Sequence, residues 1–283
     1  MTAALLGLAA ALCLGIADFM SRFSARALGA PLTYGAVLLI GTGAATAWVL
    51  ISGMPFVWSL YGCGMAVLHG IAVALMCMLL YAGLARGPVS VVAPIVAAHP
   101  ALVLAVAAIM GQRLSAVQGI AMFAIVAGGI AVARLAVHED TPGAHASRET
   151  LFIAFGACIA YVFLILTAQA AAPLIGETQT MWIGRLSGLL FIALILLGQG
   201  VKLALPKPWV PYVGAQAILD TLGYFAFLAG ATTAAPQVTM VVASAFSVVT
   251  VLLAWFIIRE PISKLQWIAI AMIAVGTAVL GGT

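Results

Sequence analysis

Apolar residues run along this chain in long blocks, and each block is about as long as a helix that crosses a bilayer. Ten blocks fall at 3–21, 32–52, 59–84, 88–110, 115–135, 150–171, 179–200, 209–231, 235–258 and 262–282. A spanning helix needs roughly 20 predominantly apolar residues. Strands of a membrane barrel would instead alternate apolar and polar side chains, and these blocks do not. Between blocks stand Ala30-Pro31, Gly87-Pro88, Ala235-Pro236 and Glu260-Pro261. Proline lacks the backbone donor and disfavours helix at the residue before it, so these pairs mark where helices stop and restart. The first block starts without a preceding basic segment and reads as a retained span rather than a cleaved leader.

The pattern also repeats. Residues 88–135 and 236–283 align without a gap: Pro88 falls on Pro236, Leu114-Ser115 on Ile262-Ser263, Gln118 on Gln266, and Gly128 on Gly276. A repeat on this scale speaks to architecture. With five spans per copy, the second copy enters the membrane upside down, as in many secondary transporters. The predicted fold is an all-α integral membrane protein: ten transmembrane helices, arranged as two inverted five-helix repeats around a central cavity. The predicted units are 1–135, a hydrophilic linker at 136–149, and 150–283.

Composition supports the membrane reading, with 65% apolar and only 6% charged residues; a soluble domain carries roughly 25% charge. The formal charge of +4 sits between spans and suits lipid headgroups, and no basic arm suggests nucleic acid. Of the Lys and Arg residues, Arg22, Arg26, Arg86, Arg134, Arg148, Lys202, Lys207, Arg259 and Lys264 follow odd-numbered spans. Arg113 alone follows an even-numbered one. This bias places the first set in the cytoplasm and both termini outside. Cys13, Cys63, Cys77 and Cys158 lie in apolar stretches without a CxxC pair and read as reduced, buried thiols. His138, Glu139, Asp140 and His145 match no standard metal spacing and read as a solvated linker.

Ionisable groups inside spans are expensive and usually face a cavity or a partner. Asp220 lies mid-span with Gln216 one turn before it and Tyr224 one turn after. That spacing puts a carboxylate, an amide and a phenol on one helix face. Arg185, three residues after Trp182, either snorkels to the interface or grips a carboxylate, with Asp220 as its candidate partner. His69 and His99 are either satisfied interhelical donors or cavity groups able to carry protons; His99 falls on Ser247 in the second copy. Asp18 reads as an i, i+4 interfacial pair with Arg22, or as a cavity residue for which Gly15 and Ser21 leave room. Most aromatics are belt or packing residues, but Tyr81, Tyr161 and Tyr224 are expected on cavity walls, since a phenol in hydrocarbon needs a partner. Gly62, Gly64 and Gly70, Gly128 and Gly129, and Gly184 and Gly188 stand where small residues let helices approach.

Tyr81-Ala82-Gly83-Leu84, Gly87-Pro88-Val89-Ser90, His99-Pro100-Ala101-Leu102, Gly111-Gln112-Arg113-Leu114-Ser115 and Gly128-Gly129 resemble the EamA module of the drug/metabolite transporter superfamily. Arg259-Glu260-Pro261-Ile262-Ser263 with Gly276 resembles it more closely, because it keeps an acidic residue where the first copy has Gln112. The first copy's Pro100 meets Val248 in the second. The resemblance implies ten helices, a central cavity between two halves, export of small metabolites, often amino acids, and both termini in the cytoplasm. That orientation opposes the one from charge.

The expected function is a secondary exporter of small metabolites, amino acids first, working by alternating access in the cell membrane. The expected partners are the substrate, the lipid bilayer and protons as a candidate coupling ion, with either a monomer or a homodimer. Asp220 and Arg185 would complement a zwitterion. The substrate-contact candidates are Asp220, Gln216, Tyr224, His69, His99, Arg185, Trp182, Tyr81, Tyr161 and Ser247. The alternatives are a carrier of lipophilic drugs or lipid-linked sugars, and a haem- or metal-binding intramembrane protein using His69 and His99. No P-loop, HExxH or GxSxG motif occurs, so neither ATP-driven transport nor an enzyme is expected, and no cofactor.

Overall fold

The structure, a computed structural model, describes residues 2–138, 146–201 and 204–282. Among these, ten helical spans are long and apolar enough to cross a membrane, one for each apolar block. Two spans are broken, so twelve helices form: α1 Thr2–Leu28, α2 Ala30–Ser52, α3 Leu60–Arg86, α4 Val89–Ala97, α5 His99–Ile109, α6 Ala116–His138, α7 Arg148–Ile175, α8 Glu177–Gly198, α9 Val210–Ala231, α10 Pro236–Ala243, α11 Phe246–Ile257 and α12 Lys264–Gly281.

The helix ends differ from the sequence reading where a charge finds an internal partner. The first span continues to Leu28 instead of stopping near Ser21, because its arginines reach neighbouring carbonyls. Arg22 Nη1 donates to Gly87 O at 2.6 Å, and Arg26 Nε donates to Ala85 O. The expected Asp18–Arg22 pair therefore does not form. The second half starts with a cap: the Ser147 side chain accepts from Thr150 N, and α7 follows at once. Glu139, Asp140, His145 and the side chain of His138 lie outside the described residues. One residue each separates α1 from α2 and α7 from α8, namely Gly29 (φ 84°) and Gly176 (φ 82°), a backbone region that glycine enters without steric penalty.

The two breaks have different causes. Between α4 and α5, Pro100 cannot donate to Val96 O, and the His99 ring takes up that carbonyl through Nδ1 at 3.1 Å. Between α10 and α11 no proline is present; Ser244 Oγ bonds back to Val241 O at 2.7 Å and competes with the ladder.

Packing brings α1 against α9, α10 and α11, α3 against α7 and α8, and α6 against α12. Gly70, Gly184 and Gly188 let α3 and α8 meet backbone to backbone, and Gly128 and Gly276 do the same for α6 and α12. Gly64 and Gly129 face open space and serve no contact, unlike their expected packing role. Leu39, Ile51, Phe123, Phe152, Leu190 and Leu194 are exposed on outward faces, a surface suited to hydrocarbon rather than water.

Candidate substrate-binding site

Helices from both halves enclose a cavity of about 190 Å³. Its lining follows helical spacing. Leu14 and Asp18 come from α1, Tyr34 and Leu38 from α2, and His69, Val73 and Cys77 from α3. Tyr161 and Leu164 come from α7, Met181, Gly184 and Arg185 from α8, and Asp220 and Tyr224 from α9. Pairs at i, i+3 and i, i+4 share one helix face, so each helix turns one narrow stripe inward.

The charged centre joins α1, α8 and α9. Arg185 Nη2 lies 3.7 Å from Asp220 Oδ2, with side-chain exposures of 11% and 25%. That separation is too long for a hydrogen bond but short enough for a Coulomb attraction of about 4 kcal/mol at an effective dielectric near 20. The guanidinium also sits over the Tyr224 ring, 5.0 Å from its centroid, a cation–π placement. Its Nη1 is buried without a hydrogen-bond partner, as is Thr221 Oγ1. Gly41 makes room for it, since a Cβ there would occupy the position of Nη1. Gly41→Ala is thus expected to push the guanidinium off Asp220 while changing stability by less than about 1 kcal/mol, because the far end of a flexible side chain yields and alanine favours helix; chemical denaturation in detergent measures it.

Asp18 takes the cavity role and not the pair with Arg22. It faces the cavity, close enough to Asp220 for the two charges to interact. Among the described residues it has no ion-pair partner, since Arg22 has turned to the carbonyls of Leu84 and Gly87. The cavity thus presents two carboxylates and one guanidinium. His69 lines it while its Nδ1 meets Leu164 O at 2.8 Å, so this histidine is both an interhelical tie and a wall residue.

Residues 149–282 match the model of the EamA-like transporter family. Over those residues the chain is similar to EamA-like transporters. A solved structure, described simply as a crystal structure of a protein, superposes with a TM-score of 0.64 at 17% identity, covering 99% of this chain and 97% of its own; that likeness is one of fold. No curated protein matches the sequence. The matched half contributes Tyr161, Arg185, Asp220 and Tyr224 to the cavity, and the preceding half contributes Asp18, Tyr34, His69 and Cys77.

Five of the ten expected contact residues lie on this lining: Asp220, Tyr224, Arg185, His69 and Tyr161. The other five are placed behind it. Gln216 is fully buried and accepts from Ser24 Oγ at 2.8 Å. Trp182 Nε1 donates to Thr46 Oγ1 at 3.0 Å. Tyr81 packs edge-on against Tyr34 at 5.6 Å. His99 stacks on Tyr161 with centroids 3.6 Å apart, backing a wall residue without being one. Ser247 is buried, and its neighbour Phe246 takes the lining position. Tyr34 and Cys77 escaped the sequence reading because a tyrosine near a helix start reads as a belt residue and a lone cysteine as packing.

Proposed function

We propose that this membrane protein is a secondary transporter of small zwitterionic metabolites, amino acids first, and that it exports them by alternating access. The observation that carries the reading is the charge set of the cavity: Asp18 and Asp220 beside Arg185. Two carboxylates suit an ammonium, and a guanidinium suits a carboxylate. Tyr34, Tyr161 and Tyr224 would accept varied side chains through ring faces and hydroxyls. The volume supports a small substrate: about 190 Å³ falls below the roughly 300–1,000 Å³ of drug-sized pockets, which disfavours lipophilic drugs and lipid-linked sugars. Asp18, Asp220 and His69 are the candidate carriers of a coupled proton.

The alternating-access reading draws on the repeat. The packing of α1 on α9, α10 and α11 has its counterpart in α7 on α3, α4 and α5, as two five-helix units related by inversion would have. The cavity lies between those units, where such transporters place their substrate.

Thermal unfolding of the detergent-solubilised protein with candidate ligands tests the substrate class. Ligand at 100 times its Kd stabilises by about 2.7 kcal/mol, a rise in midpoint of several degrees. Amino acids should raise the midpoint, while the matching amines and carboxylic acids should do so weakly. Equal shifts from the amine alone would refute the zwitterion reading.

A further inference from the structure

The link between α3 and α4 is clamped from two sides. Arg22 Nη1 donates to Gly87 O at 2.6 Å and to Leu84 O at 3.4 Å, closing the end of α3. From the other half, Glu260 reaches in, 5% exposed, and caps the start of α4. Its Oε2 accepts from Val89 N at 3.0 Å, and its Oε1 accepts from Ser90 N at 2.8 Å and from Ser90 Oγ. Charge-assisted bonds of this kind are the strong ones. The clamp lies at the basic end of the bundle, beside Arg22, Arg26, Arg86 and Arg259. Every residue of α4 is buried there, and α11 packs along it.

The sequence repeat places Gln112 where Glu260 stands, and Gln237-Val238 where Val89-Ser90 stand. Locally the two turns agree. Gly111 and Arg259 both take positive φ, 93° and 54°. Ser115 and Gln118 cap each other as Ser263 and Gln266 do. Docking differs. Gln112 is exposed, only Thr239 and Ala243 of α10 are buried, and α5 does not pack along α10 as α11 does along α4. A turn kept in both halves but seated in only one marks a state of the molecule rather than a decayed copy. Arg259 supports this: a non-glycine residue in the left-handed region is strained, and here that turn aims the next side chain inward.

We infer that Glu260 is a latch holding the basic end of the pathway shut, and that Gln112 is its counterpart, engaging the amides of Gln237 and Val238 when the opposite end closes. The inference rests on the transporter reading and adds the residues that exchange between its two states. A carboxylate holds helix amides more tightly than an amide oxygen does, so the pair biases the resting protein toward closure at the basic end.

Spin-label distances test it on the full chain in lipid nanodiscs, with the four native cysteines replaced by alanine. One label pair sits at Arg86 and Lys264, the other at the repeat-related Ala234 and Ala116. The expected result is a short distance for the first pair and a long one for the second. Glu260→Ala should enrich the reverse arrangement about tenfold, lengthening the first pair and shortening the second together. Gln112→Glu, at an exposed position, should shift both distances the same way, and it decides the matter if Glu260→Ala does not fold. Distributions unchanged in a folded variant, or a first pair that lengthens alone, would overturn the latch. The readout needs no substrate: distances that exchange in a protein moving no solute would spare the latch and sink the transporter reading.

Discussion

Asp220→Asn is expected to lower the initial rate of amino-acid exchange in proteoliposomes at least 100-fold, with the protein still folded. Asparagine keeps the shape and the acceptor oxygen and removes only the charge. The substrate ammonium then meets one carboxylate instead of two, and Arg185 loses the anion 3.7 Å away. Removing one partner of a fully buried pair costs about 3–5 kcal/mol. Here Asp220 is 25% exposed, so solvent screening reduces that figure, and a fall in stability of about 1–2 kcal/mol is expected. The loss of transport is the larger effect, because two weakened charge contacts of about 1.4 kcal/mol each amount to two decades in rate. Arg185→Gln added to Asp220→Asn should recover part of the stability and none of the transport, the coupling expected of contacting residues. Exchange at the wild-type rate in Asp220→Asn would remove this residue from the site.

Gly70→Val is expected to be the most destabilising single change in the cavity region, by about 3 kcal/mol or more. A Cβ at Gly70 would collide with the Gly184 backbone and Ser187 Oγ, while Gly188 in turn approaches Gly70 O. A flexible side chain could yield, but a backbone carbonyl on a packed helix cannot. The α3 and α8 axes would have to separate, carrying His69 and Cys77 away from Arg185. Overpacking by a methylene or two typically costs about 1–3 kcal/mol, and two branches pressed on backbone exceed that. Gly64→Val, one or two turns earlier on α3 where nothing lies within 4 Å, is the matched control and should leave stability near wild type. Chemical denaturation of both variants in detergent measures the difference; similar values would mean the α3–α8 crossing is looser than its geometry.

Span count and approximate span limits were legible in the sequence because hydrocarbon length is a blunt constraint: ten apolar blocks became ten spans. Helix ends were less legible, because a charge limits an apolar run and not the helix itself, and arginine is a good helix former. Arg22 and Arg26 look like an interfacial stop, yet carbonyls of α3 receive them, so α1 runs on to Leu28. The same event released Asp18. An i, i+4 acid–base pair explains itself locally, and only the tertiary position of Gly87 shows that the base has a better partner. Of the stripe along α9, Asp220 and Tyr224 line the cavity while Gln216, one turn earlier, bonds to Ser24. A cavity shorter than its helix must leave some of a stripe behind it. Glu260 belongs to a recognisable turn motif, but its grip on α4 is a contact across 170 positions that no local pattern carries.

Counterflow tests the central claim most directly. Proteoliposomes containing the purified protein are loaded with unlabelled amino acid and diluted into a trace of the labelled one. A carrier with one cavity serving both faces predicts transient accumulation of label above equilibrium, absent from protein-free liposomes and abolished by Asp220→Asn. Label that never exceeds the passive level for any amino acid tried would contradict the account.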